Sequence, residues 1–325
     1  MKNETSLTNY TVENQTAILP TPQSLEAKPM HKLIHCLTLA LLSFYATSNA
    51  FAETATEEKL IPLLDAVTTM QQPADYRLSY GPGVFHFGDL RLPTTEGPHP
   101  VVVLIHGGCW TAKYGLHLMD AMAERLTELG FATWNPEFRR VGMKDGEWQD
   151  IFKDVVMATH YVDNLASRFN LDTNNVILTG HSSGGHLVLW LAHQEELINK
   201  QNTMKVKAVV SLAPLTDLAE VAGDDTLPCH KTVEGLMGGP VKMYPQRYKQ
   251  ASPIHMSNTG LELIIVNGKQ DSPGFYRQFL DYRKNMAKRG HEIRHLEVGP
   301  SGHFEMITPS SAAWKDVEKA FLSLK

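Results

Sequence analysis

The stretch that most constrains the fold of this chain is Gly180-His181-Ser182-Ser183-Gly184-Gly185. It follows the apolar run Val176-Ile177-Leu178 and precedes a helix-like segment from His186 to Leu197. A serine flanked by glycines between a strand and a helix predicts a sharp turn that projects the Ser182 hydroxyl above a sheet. Side chains two residues to either side would collide at such a turn, which explains the glycines. The pattern indicates a nucleophilic serine, although an ordinary strand-to-helix connection can also carry it.

Strand-like apolar runs and helix-like segments alternate along the rest of the chain, and 42% of the residues are hydrophobic. This alternation predicts an α/β fold with a mostly parallel sheet covered by helices on both faces. The predicted strands are Val84–Leu92, Val101–Ile105, Phe131–Trp134, Val176–Leu178, Val206–Leu212, Leu261–Val266 and Ile293–Val298. The predicted helices are Leu116–Leu129, Trp148–Phe169, His186–Leu197, Phe275–Lys288 and Ala312–Leu324.

One segment, Ala213 to Ser257, breaks this rhythm because it is rich in proline. It has the composition of a small cap-like insertion over a site, with a short helix near Tyr244 to Gln250. A long crossover connection is the alternative interpretation.

The N-terminal region does not look like part of the fold. Residues 1–29 are polar and are interpreted as a non-native or disordered extension. Residues 30–52 have a basic start, an apolar run from Leu33 to Ala46 and an A-x-A pattern ending at Ala52, which together predict a secretory signal peptide. An uncleaved anchor is the alternative, although the run is short for a membrane span. We expect cleavage after Ala52, a secreted or periplasmic location, and a single domain over 53–325 that begins with a short helix near Glu57 to Thr69.

Charge and cysteine content exclude several classes of protein. The net charge is −5 and the basic residues are scattered, so nothing suggests a nucleic-acid surface. The cysteines are Cys36, Cys109 and Cys229, without a C-x-x-C pair, and no cluster has metal-ligand spacing, so no metal or cofactor is implied. Cys109 and Cys229 would remain after cleavage and could pair in an oxidising compartment, but the sequence does not show whether they lie close together.

A serine nucleophile needs a general base, and that base needs an orienting carboxylate. In sheet-based hydrolases these follow in the order Ser, Asp or Glu, His, after the ends of strands. Asp271 follows the strand Leu261–Val266, and His303 follows the last strand. Asp217, after an earlier strand, is an alternative acid. Asp281 is expected on a solvated helix face, and His291 and His295 in structural positions.

A further motif, His106-Gly107-Gly108, follows the strand Val101–Ile105. Acyl transfer creates an oxyanion that needs fixed N–H donors, and glycines let a backbone approach a substrate closely. The expected donors are the amides of Gly107, Gly108 and Ser183. We expect His106 to be a structural hydrogen-bonding residue and Trp110 to line the acyl pocket, with a core position for Trp110 as the alternative.

Taken together, HGG-C-W, GHSSGGH, the Asp after the penultimate strand and the near-terminal G-H-F resemble the α/β-hydrolase superfamily over nearly all of residues 80–325. The two glycine motifs look closest to the esterase/lipase branch that holds kynurenine formamidases and small carboxylesterases. Carried over residue by residue, the catalytic triad of the family falls on Ser182, Asp271 and His303. Cys109 stands where kynurenine formamidases usually carry tyrosine, and export fits poorly with intracellular tryptophan breakdown.

The sequence therefore predicts a serine hydrolase that cleaves small carboxylic esters through an acyl-enzyme intermediate. A kynurenine formamidase-like amidase and a non-catalytic binding protein on a hydrolase scaffold are the alternatives. The segment Ala213 to Ser257 is too polar for the lid of a long-chain lipase, and the chain has no room for the extra domain of a prolyl peptidase. The expected partner is a small ester or amide, with no nucleic acid and no stable membrane span in the mature chain. The oligomeric state is left open.

Overall fold

The computed structural model describes residues 60–62, 72–144, 146, 148–199 and 203–325. The predicted extension, the predicted signal peptide, Cys36 and most of the predicted lead-in helix lie outside the described residues. Among the helices that the structure describes, none combines the length and the apolar character needed to cross a membrane.

A central sheet of eight strands organises the described chain, in the order β1-β2-β4-β3-β5-β6-β7-β8. The pairs β1–β2 and β2–β4 are antiparallel, and all other neighbours are parallel. This confirms the predicted α/β class and its mostly parallel sheet. The strands are β1 (Tyr76–Ser79), β2 (Phe87–Arg91), β3 (His99–Ile105), β4 (Ala132–Pro136), β5 (Leu171–His181), β6 (Val206–Leu212), β7 (Glu262–Gly268) and β8 (Arg294–Val298).

Helices connect the strands and pack on the sheet. They are α1 (Asp120–Glu128), α2 (Asp150–Ala166), α3 (Ser183–Ala192), α4 (Glu195–Asn199), α5 (Leu218–Gly223), α6 (His230–Met237), α7 (Pro245–Ala251), α8 (Pro273–Lys288) and α9 (Trp314–Leu322). Short 3-10 helices cover Leu116–Met119, Pro253–His255 and Glu305–Ile307.

The core lies along the middle strands. All seven residues of β3 are buried, and β6 and β7 each expose only one polar residue near their start. Continuous apolar runs of this kind suit parallel strands that are covered on both faces. The carboxyl ends of β3, β5, β7 and β8 all point to one edge of the sheet, and the residues with predicted chemistry follow those ends.

The sequence prediction differs from the structure mainly at element ends. Strand β1 was not predicted, and β5 begins at Leu171 instead of Val176. The predicted helix Leu116–Leu129 is a 3-10 turn followed by α1, and the predicted helix His186–Leu197 is divided into α3 and α4.

The segment Ala213 to Ser257, called the cap segment below, contains three helices, α5 to α7. Buried polar side chains attach it to the main fold. Oε1 of Gln278 on α8 accepts hydrogen bonds from the amides of Thr216, at 2.8 Å, and Asp217, at 2.7 Å. Ser252 Oγ accepts one from the Leu218 amide at 2.9 Å and donates one to the Tyr248 carbonyl at 2.7 Å. The cap segment is therefore held by specific hydrogen bonds to α8 and within itself.

Candidate active site

Ser182 lies at the turn between β5 and α3, with φ 56° and ψ −118°. This positive φ is uncommon for a residue with a side chain, and it persists only where the surroundings hold the backbone. The Ser182 amide donates to the Leu212 carbonyl at 2.8 Å, which ties the turn to β6. A Cβ at Gly184 would lie 2.0 Å from the Ile105 carbonyl oxygen, and one at Gly180 would lie 2.4 Å from the Gly184 oxygen. The glycines are thus required by close backbone packing, as the sequence predicted.

Asp271 and His303 form a hydrogen-bonded pair at the same edge of the sheet. His303 Nδ1 donates to Asp271 Oδ2 at 2.7 Å, and the Asp271 side chain is only 4% exposed. The turns that carry them are joined, because the Gln270 amide donates to the Ser301 carbonyl at 2.8 Å. Since Nδ1 carries the proton in this pair, Nε2 of a neutral His303 is free to accept one.

The alternative residues have other roles in the structure. Asp217 caps α5, because its Oδ1 accepts from the amides of Ala219 and Glu220 at 2.9 and 3.3 Å. Asp281 is exposed on α8. The ring of His295 stacks on Phe279 with centroids 4.0 Å apart. The structure therefore pairs His303 with Asp271 and not with Asp217.

The loop after β3 lies directly against Ser182. A Cβ at Gly107 would lie 3.2 Å from Ser182 Cβ, and Gly108, with φ 107°, lines the same cavity as Ser182. Ser183 Oγ accepts a hydrogen bond from the Trp110 amide at 3.3 Å, which links the loop to the start of α3. The predicted oxyanion donors, the amides of Gly107, Gly108 and Ser183, thus lie on segments that meet at Ser182.

His106 is a buried hydrogen-bonding residue, in agreement with its expected structural role. Its Nδ1 lies 2.8 Å from the Gly107 carbonyl and its Nε2 lies 3.0 Å from Glu137 Oε1, while its ring stacks on Phe138. Burial alone would raise the pKa of Glu137, but its contacts with His106 and Arg140 lower that pKa below its usual range. These contacts fix the backbone just before the two glycines.

His181 connects the serine turn to the histidine turn, a contact that the sequence did not predict. Its Nε2 donates to the His303 carbonyl at 2.7 Å, and its ring lies beside the His303 ring with centroids 4.6 Å apart. Burial, together with repulsion from His303, lowers the pKa of His181 well below its usual range. A neutral His181 therefore holds the backbone of His303.

A cavity of about 370 Å³ opens over Ser182 and His303. Its wall contains several apolar residues that the sequence does not single out, because nothing in their local pattern distinguishes them from core residues. These are Leu118, Pro228, Phe275 and Phe304, together with Tyr114. Trp110 is not part of this wall as described. It is 1% exposed and packs edge-on against His186, so the structure places it in the core instead of the acyl pocket.

Cys109 and Cys229 form a disulfide with their Cα atoms 5.1 Å apart. The bond joins the loop after β3 to the cap segment, and both cysteines line the cavity. The sequence leaves this pairing open, because 120 residues separate the two cysteines and no local pattern shows that they lie close together.

Two other features bear on what the described residues can bind. No group of three or more His, Cys, Asp or Glu side chains among them is arranged to hold a metal ion. A larger groove, of about 1020 Å³, is lined by Trp148, Trp190 and residues of α2 and α7, and it contains none of the predicted site residues. The chemistry of the serine, histidine and aspartate favours the smaller cavity as the candidate active site.

Comparison with known proteins identifies the family to which the chain is similar and several similar proteins. The family model described as BD-FAE matches residues 89–283, which is more than half of the chain. The kynurenine formamidase of Drosophila melanogaster is 20% identical over 246 residues, covering 74% of this chain and 78% of that protein. Esterase LipC of Mycobacterium tuberculosis is 21% identical over 281 residues, covering 82% of this chain and 69% of that protein.

Among solved structures, a truncated carbohydrate esterase from gut microbiota superposes with a TM-score of 0.66 at 20% identity. The match covers 78% of this chain and 99% of that one. This chain therefore shares the fold of that esterase. Together with the family match and the similar relatives, this confirms the predicted resemblance to the α/β-hydrolase superfamily.

Proposed function

We propose that this chain, which belongs to the BD-FAE family, is a serine hydrolase that cleaves small carboxylic esters through an acyl-enzyme intermediate. One observation carries the proposal: the His303–Asp271 pair, 2.7 Å apart, opens onto the same cavity as Ser182 at its strained turn. Nucleophile, base and orienting acid are the parts that acyl transfer needs, and this arrangement is how sheet-based hydrolases supply them. The similarity to esterase LipC supports the same class of reaction.

The proposed mechanism starts with proton transfer. His303 Nε2 takes the proton of the Ser182 hydroxyl while Asp271 holds Nδ1–H and stabilises the imidazolium. Ser182 Oγ then attacks the ester carbonyl, and the amides of Gly107, Gly108 and Ser183 stabilise the oxyanion. The alcohol leaves with the proton from His303, and water, activated by the same histidine, hydrolyses the acyl-enzyme.

The cavity supports a short acyl group. A volume of about 370 Å³ lies at the small end of ligand pockets, and apolar side chains such as Leu118, Phe275 and Phe304 suit a short alkyl or aryl chain. The carbohydrate esterase with the same fold makes acylated sugars a substrate class to screen.

Hydrolysis of N-formylkynurenine is the second candidate function. The relative from Drosophila melanogaster named kynurenine formamidase favours it, because the similarity runs over 246 residues. Cys109, bound in a disulfide where those enzymes usually carry tyrosine, weighs against it.

We also propose that the protein is exported after cleavage behind Ala52. The signal-like segment 30–52 is the basis for this proposal, and the Cys109–Cys229 disulfide supports it because such bonds persist in oxidising compartments. Sequencing the N-terminus of the protein secreted by its own host would test it, with Glu53 as the expected first residue.

The function is tested by measuring kcat/KM for p-nitrophenyl acetate and N-formylkynurenine with wild type and Ser182→Ala. We expect a preference for the ester and a loss of about 10⁴-fold or more in kcat in the variant. Ser167→Ala, at an exposed helix end, is the matched control and should retain wild-type rates. A preference for the formamide would select the second candidate, and wild-type turnover by Ser182→Ala would refute a Ser182 nucleophile. A folded protein that hydrolyses neither substrate would point to a binding protein on a hydrolase scaffold.

A further inference from the structure

The Cys109–Cys229 disulfide joins two segments that border the candidate site. Cys109 directly follows Gly108 in the loop after β3, and Cys229 directly precedes α6 in the cap segment. Both cysteines and the neighbouring Pro228 line the cavity that contains Ser182. The bond is therefore part of the substrate wall as well as a link between distant segments.

The loop on one side of this bond has an unusual backbone. Gly108, Cys109 and Trp110 have φ values of 107°, 53° and 57° in succession. Residues with side chains adopt this left-handed region rarely, and they keep it only where contacts hold them there. Two such residues directly after Gly108 mean that the position of the Gly108 amide depends on restraints applied to its neighbours.

Two anchors supply those restraints. Trp110 is fixed to the core: its amide donates to Ser183 Oγ at 3.3 Å, its carbonyl accepts from Val141 at 2.8 Å, and its ring is buried. Cys109, one residue closer to Gly108, is tied by the disulfide to Cys229, which is itself 1% exposed. The loop is thus held to the core through Trp110 and to the cap segment through Cys109.

We propose that the Cys109–Cys229 disulfide is a positioning element for the hydrolase, so that full activity requires the oxidised protein. It keeps the Gly107 and Gly108 amides aimed at the developing oxyanion and keeps Pro228 against the cavity. Oxyanion donors accelerate a reaction only when they are already in place, so a loosened loop lowers the rate of the chemical steps more than it lowers binding. This inference rests on the proposed serine hydrolase function.

Reduction by a dithiol is the direct way to break the bond. The dithiol thiolate attacks one sulfur, the S–S bond breaks, and a second thiolate of the same reagent closes a cyclic disulfide. Two electrons and two protons pass to the protein, which leaves two cysteine thiols, and the reagent is oxidised. Cys109 lies in the cavity wall and is partly exposed, so the reagent has access to it.

The test compares oxidised wild type, wild type reduced with dithiothreitol, and Cys109→Ser/Cys229→Ser. Steady-state kcat and KM for p-nitrophenyl acetate are measured per active site, with the sites counted by titration with a p-nitrophenyl alkylphosphonate. Thiol titration should rise by two on reduction, and circular dichroism records the folded fraction. We expect kcat per titrated site to fall at least about tenfold in the reduced protein and in the double variant, with KM changed less than threefold.

Dithiothreitol should have no further effect on the double variant, which controls for other actions of the reagent. If reduction lowers only the number of titrated sites and leaves kcat per site unchanged, the bond is merely structural and the proposal is overturned. If the double variant does not fold, the change in kcat per titrated site on reduction of wild type tests the proposal by itself. Turnover retained by Ser182→Ala would instead refute the proposed function. If Ser182→Ala is inactive but reduction leaves the kcat per site of wild type unchanged, only the role of the disulfide is refuted.

Discussion

The two sides of the cavity are built in different ways. On the sheet side, Ser182 and its neighbours are fixed by backbone packing so close that positions 180 and 184 admit only glycine. On the cap side, the segment Ala213 to Ser257 is held by the disulfide and by side-chain hydrogen bonds such as those of Gln278 and Ser252. The proposed reacting groups thus lie on the closely packed side, and the cap side contributes Pro228 and Cys229 to the cavity wall.

The two kinds of attachment leave different traces in the sequence. Close backbone packing tolerates almost no substitution, so the sheet side has a recognisable sequence pattern. Side-chain attachments can be replaced by many other residue pairs, so the cap side has no recognisable sequence pattern. Substitutions on the two sides should therefore differ in effect.

The largest effect is expected from Asp271→Asn on the sheet side. The neutral side-chain amide that replaces the Asp271 carboxylate cannot stabilise the His303 imidazolium, and it favours the wrong tautomer of the ring. We therefore expect kcat to fall by about 10³–10⁴-fold with KM little changed. Asp217→Asn is the matched control on the cap side. Asparagine also caps helices well, so this variant should keep wild-type kcat within about twofold. Steady-state kinetics of both variants check the assignment, and the opposite ranking would make Asp217 the acid.

Gly184→Ala should destabilise the fold strongly. The added Cβ would lie 2.0 Å from the Ile105 carbonyl oxygen, a backbone atom that cannot move aside like a flexible side chain. We therefore expect a loss of about 3 kcal/mol or more in the free energy of unfolding. Gly223→Ala, at the end of α5 with nothing within 4 Å of the added carbon, should be neutral or slightly stabilising. Urea unfolding of both variants measures the contrast, and equal stabilities would mean that the sheet side is less tightly packed than described.

His186 joins the two sides and makes their contact sensitive to acid. It lies on α3, its Nε2 donates to the Ala251 carbonyl of the cap segment at 2.8 Å, and complete burial lowers its pKa from 6.5 to about 4. Because the unfolded chain binds more protons between about pH 4 and 6.5, stability is fully present above this window and falls as the pH is lowered through it. At 1.36 kcal/mol per pKa unit, the loss is about 3 kcal/mol.

Urea unfolding of wild type and His186→Gln at pH 7, 5 and 4 measures this contribution. Glutamine cannot be protonated, so the loss of stability on acidification should be smaller in the variant by about 3 kcal/mol. His181 is also buried with a lowered pKa, but it contributes equally to both proteins and cancels in the comparison. Identical pH profiles would show that His186 is not buried in neutral form.

The smallest effect is expected for Ser252→Ala on the cap side. The substitution removes a fully buried hydroxyl and with it the hydrogen bonds to the Leu218 amide and the Tyr248 carbonyl. We expect the free energy of unfolding to fall by about 1–3 kcal/mol. Because the reacting groups lie on the other side, kcat should change less than KM. Thermal unfolding with steady-state kinetics checks both, and Ser167→Ala, with an exposed hydroxyl, should shift stability by less than about 0.5 kcal/mol.

The sheet side could be largely predicted from the sequence because local pattern determines it. The Gly180-x-Ser182-x-Gly184 spacing requires a turn with no room for side chains, and Asp271 and His303 follow strands that had to be parallel neighbours. The start of β5 was hidden by the polar run Asp172 to Asn175. Strand β1 was missed because it is a short edge strand whose residues are mostly exposed.

The cap side could not be predicted in the same way. The disulfide, the buried Gln278 and the His186–Ala251 contact each join residues far apart in sequence, and no local period encodes such pairs. Trp110 shows the same limit, since a tryptophan beside a glycine motif fits a pocket wall as well as a core position, and the structure places it in the core.

Covalent labelling is the decisive test of whether Ser182 is the nucleophile. The oxidised protein is reacted with a p-nitrophenyl alkylphosphonate, digested and examined by peptide mass spectrometry, with Ser182→Ala treated in parallel. If Ser182 is the nucleophile, each chain should carry one phosphonyl group on Ser182, the variant should remain unlabelled, and ester hydrolysis should be lost in proportion to labelling. Labelling of another residue, or ester hydrolysis that continues at full rate after Ser182 is labelled, would show that Ser182 is not the nucleophile.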